Sequence, residues 1–441
     1  MRTRDLLVAA LVLSALVGAL YWSNHHQSAE SSADSNPELS PKILTLQAAD
    51  IAALSIRKKS GASVALARND AGQWQITAPQ ALAADQDAVS SMLSTLTSLN
   101  SDRLVEDKAS NFDQYGLAQS SIEVEITKKD GKTQKLLIGD DTPTGNGAYA
   151  TLAGDSRVFT MASYKKNVFV KSSNDLRDKR LLTFDSDKVS GIELTAKKQT
   201  IALARSKDEW QIVRPKPFRA DRSQAEELLR TLHDARMDLS GSEDDKKASA
   251  AFGSGTPFAA AKVTDVSGTQ ELQVRKNKDD YYAKSSAVPG VYKISSATGP
   301  GLNKSLDDFR NKKLFDFGFA EPDKIELHDG SKSYLLTRSG SDSWSNGAKM
   351  DPVTVSALVE KIRDLSASKF AETGFTVPAI DLTITSDRGK RVEKVILSKN
   401  GDNYVAKREN EPALYELNAS SVTELQKSAA DLKPAPPPNK K

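Results

Sequence analysis

The chain has no cysteine and only four histidines in 441 residues. The first absence excludes disulfides, thiol catalysis and cysteine-ligated metal sites, and it fits a protein outside the cytoplasm that avoids stray oxidation. The second leaves too few imidazoles for a zinc or iron enzyme. His25 and His26 fall in a polar stretch, and His233 and His328 stand apart with no counterpart elsewhere. An excess of one charge is lacking too. Lys and Arg number 61 against 58 Asp and Glu, which argues against a nucleic-acid partner.

The sequence also lacks the patterns that carry chemistry. Gly299-Pro300-Gly301-Leu302-Asn303-Lys304-Ser305 resembles a phosphate loop only superficially, because Asn303 stands where the backbone needs glycine before the lysine. Gly253-Ser254-Gly255 lacks the spacing of a nucleophile elbow. Glu123 and Glu125 fall on the polar side of a strand, which leaves no pair poised for glycoside cleavage. The expectation is a protein that is not an enzyme, with no cofactor and no metal.

Long apolar runs are absent beyond Leu6 to Trp22, which follows Arg2 and Arg4. Seventeen helical residues span about 26 Å, just short of a hydrocarbon core. A cleaved signal peptide has the same charged start and apolar middle. The Tyr21-Trp22 pair favours an uncleaved anchor, since such rings sit at the membrane interface. Either reading leaves the N-terminus cytoplasmic and everything after Trp22 outside the membrane. Residues 1-22 are thus the anchor, 23-42 a flexible tether, and 434-441 a proline-rich disordered tail.

What is present is a unit repeated three times. Trp74, Trp210 and Trp344 each close a strand-like stretch that begins near Arg68, Arg205 or Arg338. An aspartate follows each one: Asp85, Asp221 and Asp351. Counted from that Asp, apolar residues fall at +4, +7, +8, +11 and +14 every time, from Val89 to Leu99, Ala225 to Ala235 and Val355 to Leu365. The spacing predicts a one-sided helix, and the aspartate is its N-cap. Strand alternation flanks each helix, as in Ile122, Val124 and Ile126 or Ile380, Leu382 and Ile384. Asp130-Gly131 and Asn400-Gly401 mark hairpins. Tyr149-Ala150, Tyr282-Ala283 and Tyr404-Val405 read as matched strand pairs.

The predicted fold class is α+β: three tandem repeats of an antiparallel sheet with a packed helix, at 43-185, 186-317 and 318-433. Repetition of the tryptophans in one place favours a core role over a sugar-stacking platform. Two joints also match. Asp175-Leu176-Arg177-Asp178-Lys179-Arg180-Leu181-Leu182-Thr183-Phe184 parallels the stretch from Asp308 through Phe309, Arg310, Asn311 and Lys312 to Phe317. Arg177, Lys179, Arg310 and Lys312 are the candidate interaction or joint residues. The third unit lacks the joint and runs into the proline tail, so a structural connector is expected.

The Trp strand, the Ala84-Asp85 and Ala220-Asp221 helix starts and the Asp-Leu-Arg-Asp-Lys-Arg-Leu-Leu joint resemble a bacterial membrane-anchored family catalogued as domain of unknown function 4340. The resemblance covers residues 43–433. It implies an accessory partner of ABC-type transport systems of the kind linked to gliding machinery, and carries no catalytic residues across. The expected function is a membrane-anchored extracytoplasmic scaffold or adaptor in an envelope or transport complex. A module binding an envelope glycan or lipid is the alternative, and an envelope hydrolase a third reading.

Overall fold

The computed structural model describes residues 42–207, 209–240, 245–318, 321–340 and 343–436. The expected membrane anchor, nearly all of the expected tether with His25 and His26, and residues 437–441 lie outside them. Among the described residues no helix is long and apolar enough to cross a membrane. The chain divides into two compact units, up to Lys179 and from Arg180 onward.

The first unit is built on one nine-stranded antiparallel sheet. In sheet order the strands are Leu82–Ala83, Trp74–Ala78, Ser63–Arg68, Ile51–Lys58, Ile122–Lys128, Thr133–Asp141, Gly147–Leu152, Val158–Ala162 and Arg103–Glu106. Two meanders meet at the centre, where Leu54 pairs with Ile126 and Ile56 with Val124. The helix α1, Gln86–Thr97, crosses from one meander to the other. It buries Val89, Met92, Leu93 and Leu96 on the face that carries Leu54, Val124 and Ile138. Each such side chain contributes about 1.5–3 kcal/mol when withdrawn from water.

The second unit holds two eight-stranded sheets of the same plan. In the first of these, Gly191–Ala196 pairs with Thr256–Asp265 at the centre, and α2, Arg222–His233, packs through Ala225, Leu228, Leu229 and Leu232. In the other, Lys324–Asp329 pairs with Pro378–Ser386, and α3, Pro352–Asp364, packs through Val355, Leu358, Val359 and Ile362. The +14 residues Leu99, Ala235 and Leu365 lie past the helix ends and are buried. A further helix, α4 (Ala419–Ala430), packs on α3 and links to it through Lys361 and Glu424 (2.7 Å). Its stripe of Val422, Leu425 and Ala429 is short, and the sequence reading passed over it.

Three sequence expectations need correction. Each Trp belongs to the strand after the turn and does not close the previous one: Trp74 begins Trp74–Ala78, Trp210 and Trp344 stand second in Glu209–Arg214 and Ser343–Ser345, and Arg68 pairs with Trp74 across the turn. The turn residues Asp70-Ala71-Gly72 reverse the chain between them. The third matched pair slips by one residue. Ala150 faces Ile138, Ala283 faces Val274 and Ala406 faces Leu397, so Val405-Ala406 is the equivalent of Tyr282-Ala283. Tyr404 instead matches Tyr281, because strand register is read in steps of two. Pro434 and Ala435 are not a loose tail. Pro434 bridges Met350, and the Ala435 amide donates to Lys349 O at 2.9 Å.

Candidate interaction site at the joints

Each joint begins with a one-turn helix closed by a capping box. The Asp175 carboxylate accepts from the Ser172 amide (2.8 Å) and hydroxyl (2.6 Å), and Asp308 does the same with Ser305 (2.6 and 2.7 Å). Those bonds hold the Asp175 carboxyl below its usual pKa. Burial works against ionisation of Asp308, but the Ser305 bonds and nearby lysines outweigh it and its pKa is also lowered. The next residue, Leu176 or Phe309, is fully buried. Its carbonyl accepts the amide of the helix cap: Asp85 N to Leu176 O is 2.8 Å, and Asp221 N to Phe309 O is 2.7 Å. Arg177 and Arg310 then bridge Ala84 and Ala220 through the backbone.

The same seam exists in the third sheet, where Asp351 N donates to Lys433 O at 3.0 Å. This overturns the view that the joint appears only where another unit follows. The Asp-Leu-Arg signature is missing there, but the backbone pairing needs no particular side chain. A second seam receives the chain into each sheet. Ile43, Leu181 and Leu314 donate to Leu99, Ala235 and Leu365 at 3.2, 3.1 and 2.9 Å. The joint motif is therefore two short bridges in series, one at a helix start and one past a helix end.

Asp85 accepts from the amides of Asp87 and Ala88, Asp221 from Gln224 and Asp351 from Val353, so all three act as N-caps. Trp74, Trp210 and Trp344 are 4, 4 and 5% exposed and belong to the three cores. Gln86 clasps the Trp74 backbone with two 2.9 Å bonds, and Trp210 Nε1 donates to Glu226 at 2.8 Å. Arg68 and Arg205 lie over the Trp74 and Trp210 rings at 4.6 and 5.6 Å. Lys179 is half-buried and Lys312 exposed. Gly299 and Gly301 serve packing: a Cβ would come within 2.5 Å of the Tyr281 ring and 2.8 Å of Thr231. His233 contacts Asp234 (3.0 Å) and His328 contacts Ser333 (3.0 Å), far from any shared constellation. Among the described residues no group of three or more His, Asp or Glu converges at metal-ligand spacing.

The second joint carries features the first does not share in sequence. Where the first unit has Ala83, the second has Arg219, which bonds Asp316 and lies 2.8 Å from Glu411. Arg408 continues the network to Glu393 (3.1 Å) and Glu411 (2.8 Å), and donates to Leu314 O. Arg391 adds a contact to Glu393 at 3.4 Å. Three guanidinium groups thus balance three carboxylates across almost 200 residues of chain. Burial disfavours charge on Arg219, but Asp316 and Glu411 outweigh it and raise its pKa. Burial and Glu411 together push the Tyr415 hydroxyl up. Sequence reading missed this network. Its one visible signal was an arginine at the repeat position occupied by Ala83.

Arg310 lies between two rings, 4.3 Å from the Phe218 centroid and 3.4 Å from that of Phe370, with Asp307 at 3.1 Å. The equivalent positions of the first unit carry Leu82 and Leu104. A cleft of about 600 Å³ opens beside it, with Lys216 and Glu372 also on its wall. Its charges balance, so it favours no one ligand class.

Comparison with curated proteins and with solved structures found no match. The model of one family does match, over residues 74–238 and again over 210–383. Both matches start at one of the repeated tryptophans, Trp74 or Trp210, and run through a joint into the following sheet. Together they run from Trp74 to Thr383, more than half of the 441 residues, and the chain belongs to this family, Domain of unknown function (DUF4340).

Proposed function

We propose that this protein is a non-enzymatic, membrane-anchored extracytoplasmic scaffold or adaptor, an accessory component of an ABC-type transport or envelope complex. The observation that carries the reading is the open face of each sheet. The helices α1, α2 and α3 cover one face of the central strands. The other face is open along those strands, although in the second sheet the helix Asp245–Ser254 covers its far end through Phe252 and Arg275. On that side Lys135 lies 3.3 Å from Glu125, Lys262 3.3 Å from Glu193 and Lys394 3.1 Å from Asp381. Such crosswise charge pairs add little stability. They present instead a patterned polar surface, of the sort that sets partner choice and register. The apolar run Leu6 to Trp22, with its Tyr21-Trp22 end, is the segment this reading assigns as the anchor. Burial of the three tryptophans removes them as a stacking surface, so a glycan-binding role would have to use other aromatics.

The test is affinity purification of the full-length chain from crosslinked membranes in a gentle detergent. Permease or ATPase subunits should accompany the wild type, and Glu123→Lys with Glu125→Lys should reduce their recovery. Recovery of the protein alone, or equal recovery with the variant, would overturn the reading.

A further inference from the structure

The first sheet carries a pocket of about 380 Å³ on its open face, where Gly147–Leu152, Val158–Ala162 and Arg103–Glu106 run side by side. Its floor lies on one face by register. Tyr149 pairs with Thr160 and Thr160 with Arg103, so the three side chains form a row across adjacent strands. The neighbouring row of Ile138, Ala150 and Phe159 points the other way, into the core that α1 covers. The hairpin loop before Gly147–Leu152 adds Thr144 and Asn146 to the wall, and Asp102 lines it beside Arg103. The size falls in the ordinary range of small-molecule sites.

That loop is an addition to the repeat. The same hairpin turns through two residues in the other sheets, Lys278-Asp279 and Gly401-Asp402, but through five here, residues 142–146. Two residues suffice to reverse the chain, so closing the hairpin does not account for the rest. The loop is held in shape. The Thr142 hydroxyl accepts the Gly147 amide at 3.2 Å, the Thr142 amide donates to Gly147 O at 2.8 Å, and the Ser163 amide donates to Asn146 O at 3.0 Å. The ring is set apart as well. Tyr149 is half-buried, whereas its equivalents Tyr282 and Val405 are 4 and 0% exposed. Tyr115 packs on Tyr149 with ring centroids 4.9 Å apart, and donates to Glu106 at 2.9 Å. Among the described residues, the side chains of Asp102, Arg103 and Asn146 and the Tyr149 hydroxyl have no hydrogen-bond partner.

We infer that this pocket binds a carbohydrate, with one pyranose ring against Tyr149 and its hydroxyls bonded by Asp102, Arg103 and Asn146. A sugar ring offers an apolar C–H face and hydroxyls that both donate and accept. The pocket answers each: an aromatic ring for the face, a carboxylate to accept, a guanidinium to donate and an amide to do both. One acid beside one base suits a neutral ligand better than a phosphate or a carboxylate. The inference rests on the extracytoplasmic placement proposed above only for the source of the sugar, an envelope glycan.

The experiment places the full-length chain in nanodiscs of zwitterionic phospholipid and applies it to immobilised oligosaccharides of glucose, galactose, mannose and N-acetylglucosamine. At least one of them should retain the wild type, and the same oligosaccharide free in solution should release it. Tyr149→Ala should weaken retention about tenfold. Replacing residues 143–146 by Asn-Gly keeps the Thr142 and Gly147 pairing, removes Thr144 and Asn146, and should weaken it similarly. Glu123→Lys with Glu125→Lys should leave retention unchanged, which separates this outcome from that of the docking reading. Retention by none of the four sugars, or equal retention of the wild type, Tyr149→Ala and the loop replacement, would overturn the assignment.

Discussion

The amide of Asp351 donates to the carbonyl of Lys433 across 3.0 Å, while the Lys433 ammonium reaches the Asp351 carboxylate at 3.4 Å. One residue thus caps α3 with its carboxylate and closes the last seam of the chain with its amide. The same dual use holds at Asp85 and Asp221, where the seam partner is a joint and not a terminus.

Deletion of residues 433–441 should therefore open the third sheet at Met350 and Asp351. Asp351 is half-buried and Lys433 exposed, so water can replace part of the lost bond and the cost is about 1 kcal/mol. Amide exchange at Val353 to Val355 should accelerate in the truncated protein. Deletion of residues 437–441 alone should leave that exchange at the wild-type rate, and an equal effect of the two deletions would contradict the seam.

Arg219 and Asp316 should behave as one unit. Arg219→Ala leaves Asp316 and Glu411 short of a cation in a largely buried setting, a loss of about 3 kcal/mol. The double variant with Asp316→Ala should cost much less than the sum of the two single changes. Additive unfolding midpoints in a double-mutant cycle would show that the pair is not coupled.

Each helix cap should be worth a similar amount. Asp85→Ala, Asp221→Ala and Asp351→Ala remove the acceptor for one or two free amides, at about 1 kcal/mol apiece. Denaturant titrations should give these losses equally with and without a chelator. A chelator that abolished the difference would point to a metal at these carboxylates.

Acid should loosen the joints. The pKa of Asp175 is depressed in the folded chain, chiefly by the Ser172 hydroxyl and amide. A depressed carboxylate adds stability above its unfolded pKa of about 3.9, and loses it as pH falls through the folded value. Asp308 follows the same sign, with the Ser305 bonds outweighing burial. Unfolding midpoints measured downward from about pH 5 should fall more gently in Asp175→Asn and Asp308→Asn than in the wild type. Parallel slopes would exclude the capping boxes as the source.

Much of the architecture was legible because it depends on short-range pattern. The stripe from Val89 to Leu96 announces a helix with one buried side, and Ile122, Val124 and Ile126 announce a strand with one buried face. Asp85 is a cap wherever a helix starts. The site was less legible. Arg310 was visible in the joint motif, but its enclosure by Phe218 and Phe370 was not, since those residues lie 92 and 60 positions away in the chain.

Sequence alone determined that this chain repeats a strand-and-helix unit, where each helix begins, and which residues face a core. Those properties follow from periods of two and 3.6 residues, which any local window contains. Tertiary structure decided that two meanders join through Ile51–Lys58 and Ile122–Lys128, that Lys433 closes the last seam, and that Arg219, Asp316, Glu393, Arg408 and Glu411 meet. No periodic pattern specifies which distant backbone groups or charges become neighbours; that choice is made when the sheets pair and bury their apolar faces together.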